Sequence, residues 1–206
     1  MRSADDQSAC RPSDPAFGGD RVSSARPAVA GDICVLLAPS GPVSGGGAAF
    51  IDRLRADLGG EPVEPLHVTV DRVATADAAT LIRAVGETAH RLRPAPVRVD
   101  RLYFLPSQAR GPEIVKLEVA PDAVLDEDVN ELLAALRGCG LPSLYPDDRA
   151  KPTITALQRV TRRDSVEPDL SGLPLELFVA DHVIISRIRG PALYDILGSA
   201  SIPTSG

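Results

Sequence analysis

The spacing of apolar residues changes repeatedly along the chain, and each change marks an element. Ile33-Cys34-Val35-Leu36-Leu37 is an unbroken apolar run between Gly31 and Pro39, which predicts a short buried strand. A Gly-rich loop from Gly41 to Gly47 leads into Phe50, Ile51, Leu54 and Leu58, whose spacing lines one side of a helix. Leu66-His67-Val68-Thr69-Val70 then alternates with period two, as a half-buried strand does. From Asp77 to Arg91 the helical period returns, with Leu81, Ile82, Val85 and Ala89 followed by Leu92. Val97 to Leu105 and Glu113 to Val119 predict two strands around a turn at Gly111-Pro112.

A second cycle follows. Asp126 is placed to cap a helix, with Glu127 and Asp128 in a first turn that favours acids. Val129, Leu132, Leu133 and Leu136 form its apolar stripe, and Gly138 and Gly140 end it. A loop from Leu141 to Lys151 feeds a strand over 153–160, and a last strand over 175–188 is broken or bulged near Asp181. Helices and strands mix without the regular alternation of a doubly wound sheet. The predicted class is therefore α+β, with helices packed on antiparallel sheets.

Composition narrows the picture. Residues 1–30 are rich in Ser, Pro, Asp, Arg, Gly and Ala without periodicity, so a disordered tail is expected there. One domain over 31–200 and a flexible end over 201–206 account for the rest. Hydrophobic content of 44% is ordinary, but aromatics are only 3% and Trp is absent, so the core rests on Ala, Val, Leu and Ile. A net charge of −6 argues against a broad basic face for duplex DNA. Cys10, Cys34 and Cys139 are neither paired nor spaced as metal ligands, and no metal or cofactor is expected. No apolar stretch of 18 residues occurs, so no membrane partner is expected; the cytoplasm is the simplest compartment and a monomer the simplest state.

The chemistry concentrates on two alternating strands. Leu66, Val68 and Val70 point one way into a core, which sends His67 and Thr69 together to the other side. An imidazole moves protons near neutral pH, and a neighbouring hydroxyl donates to a phosphoryl oxygen. The strand after Lys151 repeats the pattern: Pro152, Ile154 and Ala156 take the inward positions and leave Thr153 and Thr155 on the matching face. The two motifs lie 86 residues apart, about one lobe.

Leu66-His67-Val68-Thr69-Val70 and Lys151-Pro152-Thr153-Ile154-Thr155-Ala156-Leu157 resemble the paired motifs of the two-histidine phosphoesterase superfamily. That group includes 2′-5′ RNA ligase-like proteins and cyclic phosphodiesterases; its motif is His-x-Thr/Ser-x, once per lobe. The resemblance spans roughly residues 31–197. It implies a bilobed, pseudo-twofold fold, with two antiparallel sheets lining a central cleft and helices packed outside. It also implies a metal-free site for a 2′,3′-cyclic phosphate or 2′-5′ linkage of a nucleotide or RNA end. One histidine would act as base and the other as acid, and the Thr hydroxyls would hold the phosphate.

The chain departs from that pattern at one position, since Thr153 stands where the second histidine belongs. A register shifted by two would instead put Lys151 at the histidine position and Thr153 at the Thr position. In either register the second imidazole is missing, and catalysis is impaired or altered. The resulting candidate set is His67 for proton transfer, with Thr69, Thr153, Thr155, Lys151 and Arg149 for phosphate. A noncatalytic nucleotide- or RNA-end-binding module on the same fold is the competing reading, and a scaffold without ligand is a third.

Other features read more simply. His90 belongs to the polar part of a helix, and His182, beside Asp181, is better read as a solvated edge residue than as a substitute imidazole. The Gly41–Gly47 loop lacks the Gly-Lys-Ser/Thr ending of a phosphate-binding loop. Arg159, Arg162 and Arg163 are followed by Asp164, Glu167 and Asp169, as in a solvated mixed-charge loop.

Overall fold

The computed structural model describes residues 28–74, 78–106, 113–141, 143–145, 152–162, 167–190 and 193–204. The elements run β1 (Ile33–Ala38), α1 (Gly45–Leu58), β2 (Glu61–Pro62), β3 (Val68–Val73), α2 (Ala78–Ala89), β4 (Ala95–Pro106), β5 (Glu113–Val119), α3 (Ala123–Gly138), β6 (Thr153–Gln158), β7 (Leu175–Ala180), β8 (His182–Gly190) and β9 (Leu193–Ser201).

Every strand pairing is antiparallel, in the order β7-β4-β5-β6-β3-β1-β8-β9, with β2 beside β6. The sheet is curled and divides into two four-stranded halves. Between β3 and β6, where the halves meet, the ladder contains a single residue pair, Val68 opposite Ile154. The α+β class and bilobed plan expected from the sequence are therefore present. The two sheets are continuous through that one junction.

The helices share one side of the sheet. Phe50, Leu54 and Leu58 of α1, Leu81 and Val85 of α2, and Leu125, Leu132 and Leu136 of α3 join one core with Val35, Leu37, Val68, Val70, Leu117 and Ile154. A smaller apolar cluster of Cys34, Leu36, Ala38, Ile184 and Ile188 lies on the opposite face of the sheet. Aliphatic residues that alternate along β1, β3, β5 and β6 thus decide which face meets the helices.

Several boundaries move. α1 starts at Gly45, inside the predicted glycine loop. The cap of α3 lies four residues before the predicted one: Asp122 accepts hydrogen bonds from the backbone N–H groups of Val124 (3.0 Å) and Leu125 (3.1 Å). Asp122 therefore satisfies otherwise orphaned donors, and Asp126 follows in the first turn. Asp128, expected among the first-turn acids, is instead buried on the inner face. The strand predicted over 175–188 with a break or bulge near Asp181 does break there, into β7 at the edge of one half and β8 inside the other. β9 pairs with β8 along nearly its whole length and was not expected. The turn predicted at Gly111-Pro112 lies outside the described residues, as does the tail over 1–27.

Candidate functional site at the junction of the halves

The site is built where β3 meets β6. Val68 and Ile154 face each other, and both side chains are fully buried in the main core. Neighbours along a strand point to opposite faces, so His67 and Thr69 flank Val68 on the helix-free face, and Thr153 and Thr155 flank Ile154 there. Antiparallel pairing continued from this bridge sets Thr69 beside Thr153 and His67 beside Thr155. Leu66, Val70 and Ala156 take the inward positions as expected.

This pairing also fixes the pseudo-symmetry. A twofold axis through the Val68–Ile154 pair exchanges His67 with Thr153 and Thr69 with Thr155. Two β-bulges agree. β1 shifts register against β3 between Val35 and Leu36, and β5 shifts against β6 between Val115 and Lys116. Beyond each bulge Leu36 lies opposite Thr69, and Lys116 lies opposite Thr155. The alternative alignment, with Lys151 matching His67, would need a central pair other than Val68 and Ile154.

His67 is 4% exposed. Its Nδ1–H donates to the carbonyl oxygen of Pro65 at 2.7 Å, a geometry open only to a protonated Nδ1 because a carbonyl can only accept. A neutral imidazole held this way carries its lone pair on Nε2. The ring also meets Tyr194 edge to face, with centroids 5.6 Å apart and planes at 82°. Tyr194, on β9, packs against the smaller apolar cluster of Cys34, Leu36, Ala38, Ile184 and Ile188. The floor on the His67 side is therefore greasy and capped by an aromatic ring.

The floor on the other side is polar. Lys116 lies between Thr155 on β6 and Tyr103 on β4, and Glu118 between Thr153 and Arg101. Burial pushes the Tyr103 phenol's pKa above its ordinary value, against the opposing pull of a hydrogen bond with the Thr153 side chain, and Glu118 adds to the rise. Thr69, Thr153, Thr155, Tyr103, Lys116 and Glu118 are all half-buried. Sequence reasoning missed Tyr103, Lys116, Glu118 and Tyr194. The signal for two of them was available, because Val115, Leu117 and Val119 alternate with Lys116 and Glu118.

Arg149 and Lys151 lie outside the described residues. The loop that carries them is anchored at its start: Ser143 Oγ donates to Asp71 at 2.6 Å, and the Arg72 guanidinium stacks on Tyr145 at 5.2 Å. Asp71 and Arg72 are buried, and Arg72 pairs with buried Asp32 at 3.6 Å. At the other end the Pro152 carbonyl accepts from the Val119 N–H.

His182 pairs with Ala38 in β1, on the His67 side of the junction. Its Nδ1 lies 3.3 Å from Asp181 and its Nε2 3.1 Å from the Ser201 hydroxyl. It stands away from the position related to His67 by the twofold. His90 is exposed, Arg159 pairs with Glu61 at 3.0 Å, and Arg162 donates to the Ala56 carbonyl; Arg163 is outside the described residues. Cys34 is buried and Cys139 half-buried. Among the described residues no helix is long and apolar enough to cross a membrane. No cluster of three or more His, Cys, Asp or Glu suited to a metal ion occurs among them either.

No family model matches the sequence, and no curated protein matches it. Solved structures do. E. coli LigT complexed with 3′-AMP superposes with a TM-score of 0.56 at 17% identity, covering 85% of this chain and 100% of LigT. A structure described as a phosphoesterase gives 0.56 at 16% identity, covering 86% and 100%. TT0787 of Thermus thermophilus gives 0.55 at 20% identity, covering 85% and 100%. The chain thus has the fold of LigT and of these structures, in line with the α+β, bilobed plan expected from the sequence. At these identities the likeness establishes architecture; chemistry has to be read from the site.

Proposed function

We propose that this protein is a phosphoesterase-like enzyme that acts slowly on a 2′,3′-cyclic phosphate or 2′-5′ linkage of a nucleotide or RNA end. The observation that carries the reading is the Val68–Ile154 pairing, which joins a His-x-Thr and a Thr-x-Thr strand about a pseudo-twofold axis. In this reading His67 is the proton-transfer group, working through Nε2 while Pro65 holds Nδ1. Thr69 and Thr155, exchanged by the axis, hold phosphoryl oxygens from two sides, with Thr153 as a third hydroxyl. Lys151 and Arg149 supply cationic help from the loop before β6. Complexes of LigT with 3′-AMP and with phosphate support a nucleotide as ligand class. The net charge of −6 fits a single nucleotide end better than duplex DNA, and the work is placed in the cytoplasm, in a monomer.

Loss of one acid–base group costs roughly 10²- to 10⁴-fold in rate, so slow turnover is the expected behaviour. A second reading, a noncatalytic nucleotide-end-binding module, is favoured by the near-complete burial of His67 beneath Tyr194. Turnover of 2′,3′-cyclic nucleotides by the wild type and His67→Ala separates the two. A rate in the wild type that His67→Ala abolishes supports the enzyme. Equal rates remove His67 from the chemistry, and saturable nucleotide binding without turnover selects the module.

A further inference from the structure

The twofold axis that exchanges His67 with Thr153 leaves one role unfilled. A symmetric site places its second proton-transfer group at Thr153, whose hydroxyl has an ordinary alcohol's acidity and protonates a leaving group poorly. One acidic O–H does reach that point. Tyr103, on β4, lies opposite Lys116, which in turn lies opposite Thr155, and its phenol interacts with the Thr153 side chain across β5, next to the position of the missing imidazole. The matching position in the apolar half carries an aliphatic residue: by the same axis Tyr103 corresponds to Ile184, which lies opposite Leu36 just as Tyr103 lies opposite Lys116. The phenol therefore stands in the half that lacks a histidine.

We propose that Tyr103 is the general acid of this site, the partner of His67 across the junction. This inference rests on the phosphoesterase reading above and assigns the role that reading leaves unfilled. In hydrolysis of a 2′,3′-cyclic phosphate, a water oxygen forms a bond to phosphorus as its proton passes to Nε2 of His67. The bond from phosphorus to one ribose oxygen breaks, and that oxygen takes the proton of the Tyr103 hydroxyl. The imidazolium and the phenolate then recover their resting states by returning one proton through solvent. Half-burial next to Glu118 keeps the phenol protonated at neutral pH, the form a donor requires. Lys116, between Tyr103 and Thr155, places a cation where the phosphoryl charge develops.

The test compares two substrates in the full-length chain: a 2′,3′-cyclic nucleotide and the 4-nitrophenyl ester of a nucleoside 3′-phosphate. Nitrophenolate departs without being protonated, whereas a ribose alkoxide does not. Tyr103→Phe deletes one oxygen and keeps the ring. It is expected to lower turnover of the cyclic phosphate by about a hundredfold or more, and of the nitrophenyl ester by little. His67→Ala is expected to lower both. Equal losses on both substrates in Tyr103→Phe would make Tyr103 a positioning residue and overturn the assignment, as would no loss on either. A wild type inactive on both overturns the phosphoesterase reading itself, and the role of Tyr103 with it.

Discussion

The two halves of the sheet share a plan and differ in what they place on it. In one, the unit β1-α1-β3 carries a bulge at Val35/Leu36; in the other, β5-α3-β6 carries a bulge at Val115/Lys116. Buried positions of the helices match as well, with Gly47, Phe50, Leu54 and Leu58 of α1 answering Leu125, Asp128, Leu132 and Leu136 of α3. On the helix-free face, however, Leu36, Ala38 and Ile184 answer Lys116, Glu118 and Tyr103. On that face His67 and the Thr69 hydroxyl sit in the apolar half, and the Thr153 and Thr155 hydroxyls, the phenol, the cation and the carboxylate sit in the polar half. The backbone symmetry brings two matched strand segments together, and in the proposed function one phosphate would lie between them. The side-chain asymmetry then gives that place a direction, with an apolar, ring-capped side and a charged side.

The strongest way to break this comparison is to exchange matched residues. Leu36→Lys puts an ammonium at a site 1% exposed, and an uncompensated buried charge costs about 3–5 kcal/mol. Urea unfolding should show that loss, and a loss below about 1 kcal/mol would mean that the apolar half is far wetter than its packing indicates.

Among the matched inner positions of the two helices one carries a charge-bearing group, Asp128 where α1 has Phe50. Burial pushes the Asp128 pKa up to about 6, against the opposing pull of the hydrogen bond from the Arg93 backbone N–H at 3.2 Å and of the Arg93 charge; Glu127 and Glu131 add to the rise. A folded-state pKa above the unfolded value of 3.8 means that the folded chain holds its proton more tightly. That stability is fully present below about pH 4 and is lost as pH rises through about 6, up to about 3 kcal/mol in all. The wild type should therefore lose stability relative to Asp128→Asn between pH 4 and pH 7. Parallel stability curves for the two proteins would place the carboxylate in a wetter setting.

Restoring symmetry is a gentler intervention. Thr153→His returns an imidazole to the position exchanged with His67. Turnover of a 2′,3′-cyclic nucleotide should rise tenfold to a hundredfold, about 1.4–2.7 kcal/mol in barrier. A drop would show that the half around Tyr103 and Lys116 has been rebuilt for a single histidine.

The smallest effect on the fold is expected from Lys116→Leu, the reverse of the first exchange. Lys116 is half-buried, and its replacement should change stability by less than about 1 kcal/mol while weakening the binding of a nucleotide phosphate. Calorimetry with a 3′-nucleotide reads that split, and unchanged affinity would remove Lys116 from the phosphate site.

Local rules made much of this legible. The period-two alternation of 66–70 and 152–156 identified the inward residues and the His67/Thr69 and Thr153/Thr155 pairs, because side-chain direction in a strand follows from the backbone alone. Helical spacing placed α1 and α2, and the recurrence of a motif at the second strand announced a bilobed α+β fold. Helix starts were less legible. Asp122 and Asp126 are chemically equal as caps, and the choice between them was made by which register buries Leu125, Leu132 and Leu136.

What only the tertiary structure decided is long-range. The register of Val68 against Ile154 puts Thr153 at the position exchanged with His67; a slip of two residues would keep every side chain on its own face, so the alternation within a strand does not decide it. The burial of His67 beneath Tyr194 depends on β9, which arrives more than a hundred residues later. Tyr103 and Lys116 enter the site because β5 carries them across from β4 to β6. The sequence by itself determined which residues face the same way within each strand. Only the folded sheet determined which strands lie side by side, and so which hydroxyl, phenol and imidazole share one face.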